Sequence, residues 1–107
     1  MQLQLFKKYI TKEAKVLETN FHGKCWYYLN ESGSPHQWSN KPSVLSFDLK
    51  FVAFHKHGQF HRTDGPAVIE YINGDFFHLS WFRNGCSDHS RYVVCSQMPL
   101  DLFKGEL

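Results

Sequence analysis

The stretch His61-Arg62-Thr63-Asp64-Gly65-Pro66-Ala67 and the hairpin pattern of residues 68–77 after it constrain this chain most. Val68-Ile69-Glu70-Tyr71-Ile72 and Phe76-Phe77 flank Asn73-Gly74, a pair suited to a two-residue type I′ turn because both central positions need a positive φ. Asp64-Gly65-Pro66 is turn chemistry of a second kind. Asp bonds its own backbone, Gly tolerates a left-handed conformation, and Pro fixes φ ahead of a strand.

Weaker copies of this unit run along the chain. Lys15-Val16-Leu17-Glu18 resembles Ala67-Val68-Ile69-Glu70, and a Gly lies seventeen residues beyond each Val, at Gly33 and Gly85. Aromatic residues stand ahead of the turns at 30–33 and 83–85, and a middle copy turns at Lys56-His57-Gly58. Each of these glycines leads to a histidine: Gly33 to His36, Gly58 to His61 and, one residue looser, Gly85 to His89. The spacings of 25 and 27 residues describe a repeat whose unit cannot bury its own face alone.

The expected fold is therefore all-β, an antiparallel meander of about three β-hairpin repeats in one domain, 1–107. Strands are expected near 15–20, 25–30, 43–48, 50–55, 67–72, 75–82 and 91–95. Residues 1–14 carry Leu3, Phe6, Ile10 and Ala14 at helical spacing, while Leu3-Gln4-Leu5 would equally suit a strand. The tail 96–107 has Pro99 early and Gly105 late, the signature of a short closing helix over an open sheet edge. The core is expected to be aromatic, given ten Phe, five Tyr and three Trp.

The motif His61-Arg62-Thr63-Asp64-Gly65-Pro66-Ala67, with the Trp81-Phe82-Arg83-Asn84-Gly85 step, resembles the H-R-x-D-G-P-A repeat proteins of tailed bacteriophages, themselves similar to MORN-type β-hairpin repeats. Only the central unit carries the whole motif. His36 and Pro42 keep part of it in the first unit, and His89 keeps little more than the histidine. The resemblance implies a small viral accessory protein with a binding role, and a motif whose residues Asp64, Gly65 and Pro66 chiefly maintain a turn.

Function classes narrow from there. A formal charge of +2 argues against extended nucleic acid, though one small nucleotide needs only a cation or two and a stacking ring. No apolar run suits a membrane helix or a signal peptide, and Cys25, Cys86 and Cys95 form no C-x-x-C pair, so a cytoplasmic setting is expected, the host cytoplasm if the protein is viral. No nucleophile elbow or matched carboxylate pair supports an enzyme, and no cofactor is expected. His55, His57 and His61 offer a three-imidazole metal arrangement to set against ordinary hydrogen-bonded histidines.

Trp38 stands out because it lies in the polar run His36-Gln37-Trp38-Ser39-Asn40-Lys41. A Trp there belongs at a binding surface more naturally than in a core. The candidate partner-binding set is Trp38, His36, Lys41, His57, His61 and Arg62, and the expected function is inhibition of a host bacterial protein such as a defence component. The alternatives are a nucleotide-sequestering protein and an assembly component that self-associates through its edge strands.

Overall fold

A computed structural model of the chain describes residues 2–38, 41–73 and 76–95. Nine strands follow an N-terminal 3-10 segment, Gln2–Tyr9: β1 (Lys15–Thr19), β2 (Gly23–Tyr27), β3 (Val44–Ser46), β4 (Phe51–Ala53), β5 (His55–Lys56), β6 (Gln59–Phe60), β7 (Val68–Asn73), β8 (Phe76–Arg83) and β9 (Cys86–Val94). Seven of them form one antiparallel meander in the order β1-β2-β3-β4-β7-β8-β9, and β5 with β6 forms a separate two-stranded ribbon inserted between β4 and β7. The all-β meander expected from the repeats is the observed fold.

Register explains which residues are buried. Pairing aligns Val16, Trp26, Leu45, Val52, Ile69, Leu79 and Arg91 in one row across the sheet, on one face. The four central members of that row are fully buried, together with Phe54, Ala67, Phe77, Leu3 and Phe6. The opposite face carries small groups at its centre, Cys25, Val44 and Ala53, packed by Tyr27, Phe51 and Phe60.

The cover on the main face is the 3-10 segment. At three residues per turn, Leu3, Phe6 and Tyr9 fall on one side, and all three pack into the core. The α-like spacing read from Leu3, Phe6, Ile10 and Ala14 thus serves a tighter helix, with Ile10 and Ala14 following it onto the same cluster. The Tyr28 hydroxyl fastens this segment by donating to the Tyr9 carbonyl (2.7 Å) and accepting from the Thr11 N–H (2.6 Å). Eight residues of 3-10 helix reach about 16 Å, whereas seven strands span about 29 Å. The two outer strands, β1 and β9, are consequently exposed on almost every residue.

The expected strand 50–55 is divided between β4 and β5, β6 adds a strand to those expected, and two assignments nearer the C-terminus also change. β9 starts at Cys86 rather than 91, because a two-residue turn at Asn84-Gly85 feeds it directly into pairing with β8. Its first half, Ser87-Asp88-His89-Ser90-Arg91, is polar on both faces and has no period-two signal, so only ladder hydrogen bonds place it. The turn at Asn73-Gly74 also differs: Asn73 is the last residue of β7 and pairs with Phe76 after a bulge, and Gly74 lies outside the described residues. Among the described residues, the left-handed two-residue turns are His57-Gly58 (φ 52° and 82°) and Asn84-Gly85 (φ 50° and 82°). The closing helix expected within 96–107 also falls outside the described residues.

Gly58 is tightly held. A Cβ there would sit 3.1 Å from the Ser34 Cβ, whereas one on Gly33 would meet nothing within 4 Å, although both have φ near 80°. Gly58→Ala should cost about 1–2 kcal/mol from the left-handed backbone alone, with the Ser34 clash added. Gly33→Ala carries only the backbone part. Chemical denaturation of the two variants should rank them in that order.

Candidate functional site

The ribbon β5–β6 and the loop ahead of β3 are joined by backbone bonds that recur one unit later. Gly58 N–H donates to Pro35 O (2.8 Å), His36 N–H to Tyr28 O (2.9 Å) and Gln37 N–H to His55 O (3.1 Å). One unit further on, Gly85 N–H donates to Phe60 O (2.9 Å), His61 N–H to Phe54 O (2.9 Å) and Arg62 N–H to Phe82 O (3.3 Å). The repeat spacing read from the glycines is therefore a repeat of hydrogen bonds.

The G-x-x-H histidines close this pattern with their side chains. His36 Nδ1 accepts from the backbone N–H of His57 (2.8 Å), and His61 Nδ1 accepts from the backbone N–H of Asn84 (2.9 Å). Each ring thereby caps the left-handed residue that opens the next turn. An accepting Nδ1 must be unprotonated, so both imidazoles carry their proton on Nε2. In the third unit a bulge opposite Trp81 and Phe82 shifts the register by one, and His89 stacks on Trp81 instead (4.3 Å, 12°). The looser spacing from Gly85 to His89 is that bulge. The signal for the capping role was present in the G-x-x-H spacing, but sequence does not say which atom the imidazole meets.

Of the candidate binding residues, the structure gathers His36, Trp38 and His57. The Trp38 ring stands edge-on to His36 (4.4 Å) and to His57 (5.7 Å), and the two imidazoles lie 4.4 Å apart. The indole itself remains 61% exposed. On one side of it a cleft of about 550 Å³ is walled by Tyr28, Asn30, Glu31, Ser32, His36 and His57. On the other, a cleft of about 220 Å³ is walled by Gln37, Lys41, His55, Lys56, His61 and Thr63. Both clefts are lined by residues of the segment before β3 and of the turn 56–64, and Trp38 lies on the wall of each.

Arg62 does not join that surface. Its side chain is turned inward, the residue only 3% exposed, with Nε donating to Asp64 Oδ1 (2.8 Å), Nη1 donating to the Pro66 carbonyl (3.2 Å) and the guanidinium lying 4.1 Å above the Phe54 ring. The reason is geometric. Arg62 follows the capping His61 in an extended segment, so the two side chains point to opposite sides. The Arg-x-Asp-Gly-Pro run is a buried brace for its own turn.

The three-imidazole metal arrangement does not form. His55 Nδ1 is bonded to Ser43 Oγ (2.7 Å), His57 packs on His36, and His61 caps Asn84. Among the described residues no group of three or more His, Cys, Asp or Glu side chains converges on a metal position. Burial pushes the pKa of His55 down to about 4, and it lowers those of His36 and His61 as well, assisted at His36 by positive charge on His57 and Lys56 and at His61 by Lys56 and Arg83.

No disulfide joins the three cysteines. Cys25 is buried among small side chains with its thiol pKa pushed up by burial, Cys86 is exposed on β9, and Cys95 is half-buried. No helix among the described residues is long and apolar enough to cross a membrane. No family model, curated protein or solved structure matches the chain. What fold and site together define is an antiparallel β-meander of stacked, histidine-capped turns that displays one tryptophan.

Proposed function

We propose that this chain is a small accessory binding protein, of the kind made by tailed phages, that covers a surface of a host bacterial protein such as a defence component. The observation that carries the binding role is Trp38, an indole held 61% exposed on a loop whose backbone is bonded on both sides to neighbouring units. An exposed Trp on a braced segment offers large contact area with little conformational entropy to lose, which is how interface anchors work. The host setting rests on the resemblance of residues 61–67 to the phage repeat motif.

Trp38→Ala should therefore abolish capture of the partner from bacterial lysate while shifting the melting temperature little, because the indole is largely in solvent. A matched loss of melting temperature and capture would show that Trp38 serves the fold and would sink this reading.

The cleft beside Trp38 favours a second reading, a binder that sequesters a nucleotide between the indole and nearby cations. A ligand selective for the folded state must raise the melting temperature, so thermal scans with nucleotides separate the two readings.

A further inference from the structure

Around Trp38 the hydrogen-bonding and charge balance is one-sided. The smaller cleft holds the ammonium-bearing side chains Lys41 and Lys56 with no acidic residue on its wall, and neither lysine has an ion pair among the described residues. Beneath the indole, His36 is 8% exposed and its Nε2 is buried without a hydrogen-bond partner. Since Nδ1 accepts from His57, that Nε2 carries a proton, so the orphan is a donor. A buried donor left unpaired is costly, and the edge-on Trp38 ring supplies only a weak N–H to π contact. Lys56, whose ammonium is among the influences on His36, adds positive charge on the same side. Among the described residues, Glu31 is the single acid on either cleft and lies on the wall of the larger one.

Two unpaired cations and one orphan N–H therefore frame an exposed indole. Resting on the reading of the Trp38 face as the binding face, we infer that its partner presents an acidic peptide segment, with carboxylates seated between Lys41 and Lys56, an apolar side chain against the indole, and an acceptor reaching His36 Nε2 once Trp38 turns aside. A basic segment would bring like charges together in the smaller cleft, and a purely apolar one would leave the same donors unsatisfied.

The test uses a fluorescein-labelled short peptide of Glu and Asp around one Phe, and its Gln/Asn isostere, titrated against the whole protein by anisotropy at low salt. The acidic peptide should bind at least tenfold more tightly than the isostere and weaken as salt rises. Lys41→Glu with Lys56→Glu should remove that difference. Both side chains are exposed, so the melting temperature should hold, and Lys41→Gln with Lys56→Gln serves as a milder check.

Equal binding of the two peptides would overturn the inference. So would displacement by inorganic phosphate or a nucleoside monophosphate at concentrations that match free peptide, since the site would then be a general anion or nucleotide site. Capture of a lysate protein that is lost in Trp38→Ala but unchanged in the double lysine variant would leave the binding face standing and refute its acidic partner.

Discussion

Acidification from about pH 7 to about pH 4 should destabilise this protein by about 3 kcal/mol through His55 alone. The magnitude follows from a pKa lowered from 6.5 to about 4, at roughly 1.36 kcal/mol for each pH unit. A group whose folded pKa is depressed binds its proton more readily when unfolded. Stability is therefore fully present above pH 6.5, falls as the pH drops through the window from 6.5 to about 4, and levels off below it. His36 and His61 are depressed in the same direction and add to the slope.

Burial is the leading cause for all three rings. In His36 and His61, Nδ1 also accepts from the His57 N–H or the Asn84 N–H, and a proton on that nitrogen would break the two turn caps. Urea unfolding across that pH window should give a steep loss of stability in the natural sequence. His55→Gln, which keeps a polar group near Ser43 but cannot titrate, should flatten it. An identical slope in the variant would show that carboxylates, not His55, govern the acid response.

The second large effect is expected at Arg62. Arg62→Ala should cost about 1.5–3 kcal/mol, the range for losing hydrogen bonds to a charged group, because the Asp64 carboxylate keeps 30% of its side chain in solvent and can be rehydrated. A domain of this size has only about 5–15 kcal/mol to lose. The guanidinium closes the Asp64-Gly65-Pro66 turn by its bonds to Asp64 and the Pro66 carbonyl, and it covers Phe54. Arg62→Lys should recover part of the loss, because an ammonium can meet Asp64 but cannot lie flat on the ring while reaching Pro66.

A double-mutant cycle with Asp64→Ala, read by equilibrium unfolding, should give a coupling energy well above the 0–1 kcal/mol typical of exposed pairs. Additive losses would mean that Arg62 acts by packing alone. Because Arg62 leads out of the β5–β6 ribbon, Arg62→Ala should also weaken partner capture, through the ribbon and without direct contact.

Much of the fold could be read along the chain because its causes are local. The positions of Gly33, Gly58 and Gly85 mark where the backbone goes left-handed, and Leu45, Val52, Ile69 and Leu79 mark the apolar centres of the strands that face the core. That His36 and His61 stand beside turns could be read from the same Gly-x-x-His spacing. β9 could not, because Ser87 to Arg91 has no apolar face to pattern and is placed by pairing with β8.

Side-chain direction was the part that only tertiary structure decided. His36, His55, His57 and His61 are the same residue in similar polar runs, yet one caps a turn under Trp38, one is buried on Ser43, one lies against a neighbouring ring and one caps the next turn. An imidazole can accept, donate, stack or bind metal, and which it does depends on atoms 12 to 23 residues away. Arg62 beside His61 has the same ambiguity, and strand geometry turns it inward while the crest of the neighbouring loop turns Trp38 out. Local sequence carried the meander, the repeat and the turns at Gly58 and Gly85. Stacking one unit on the next decided which polar side chains are buried as caps and braces and which stay exposed.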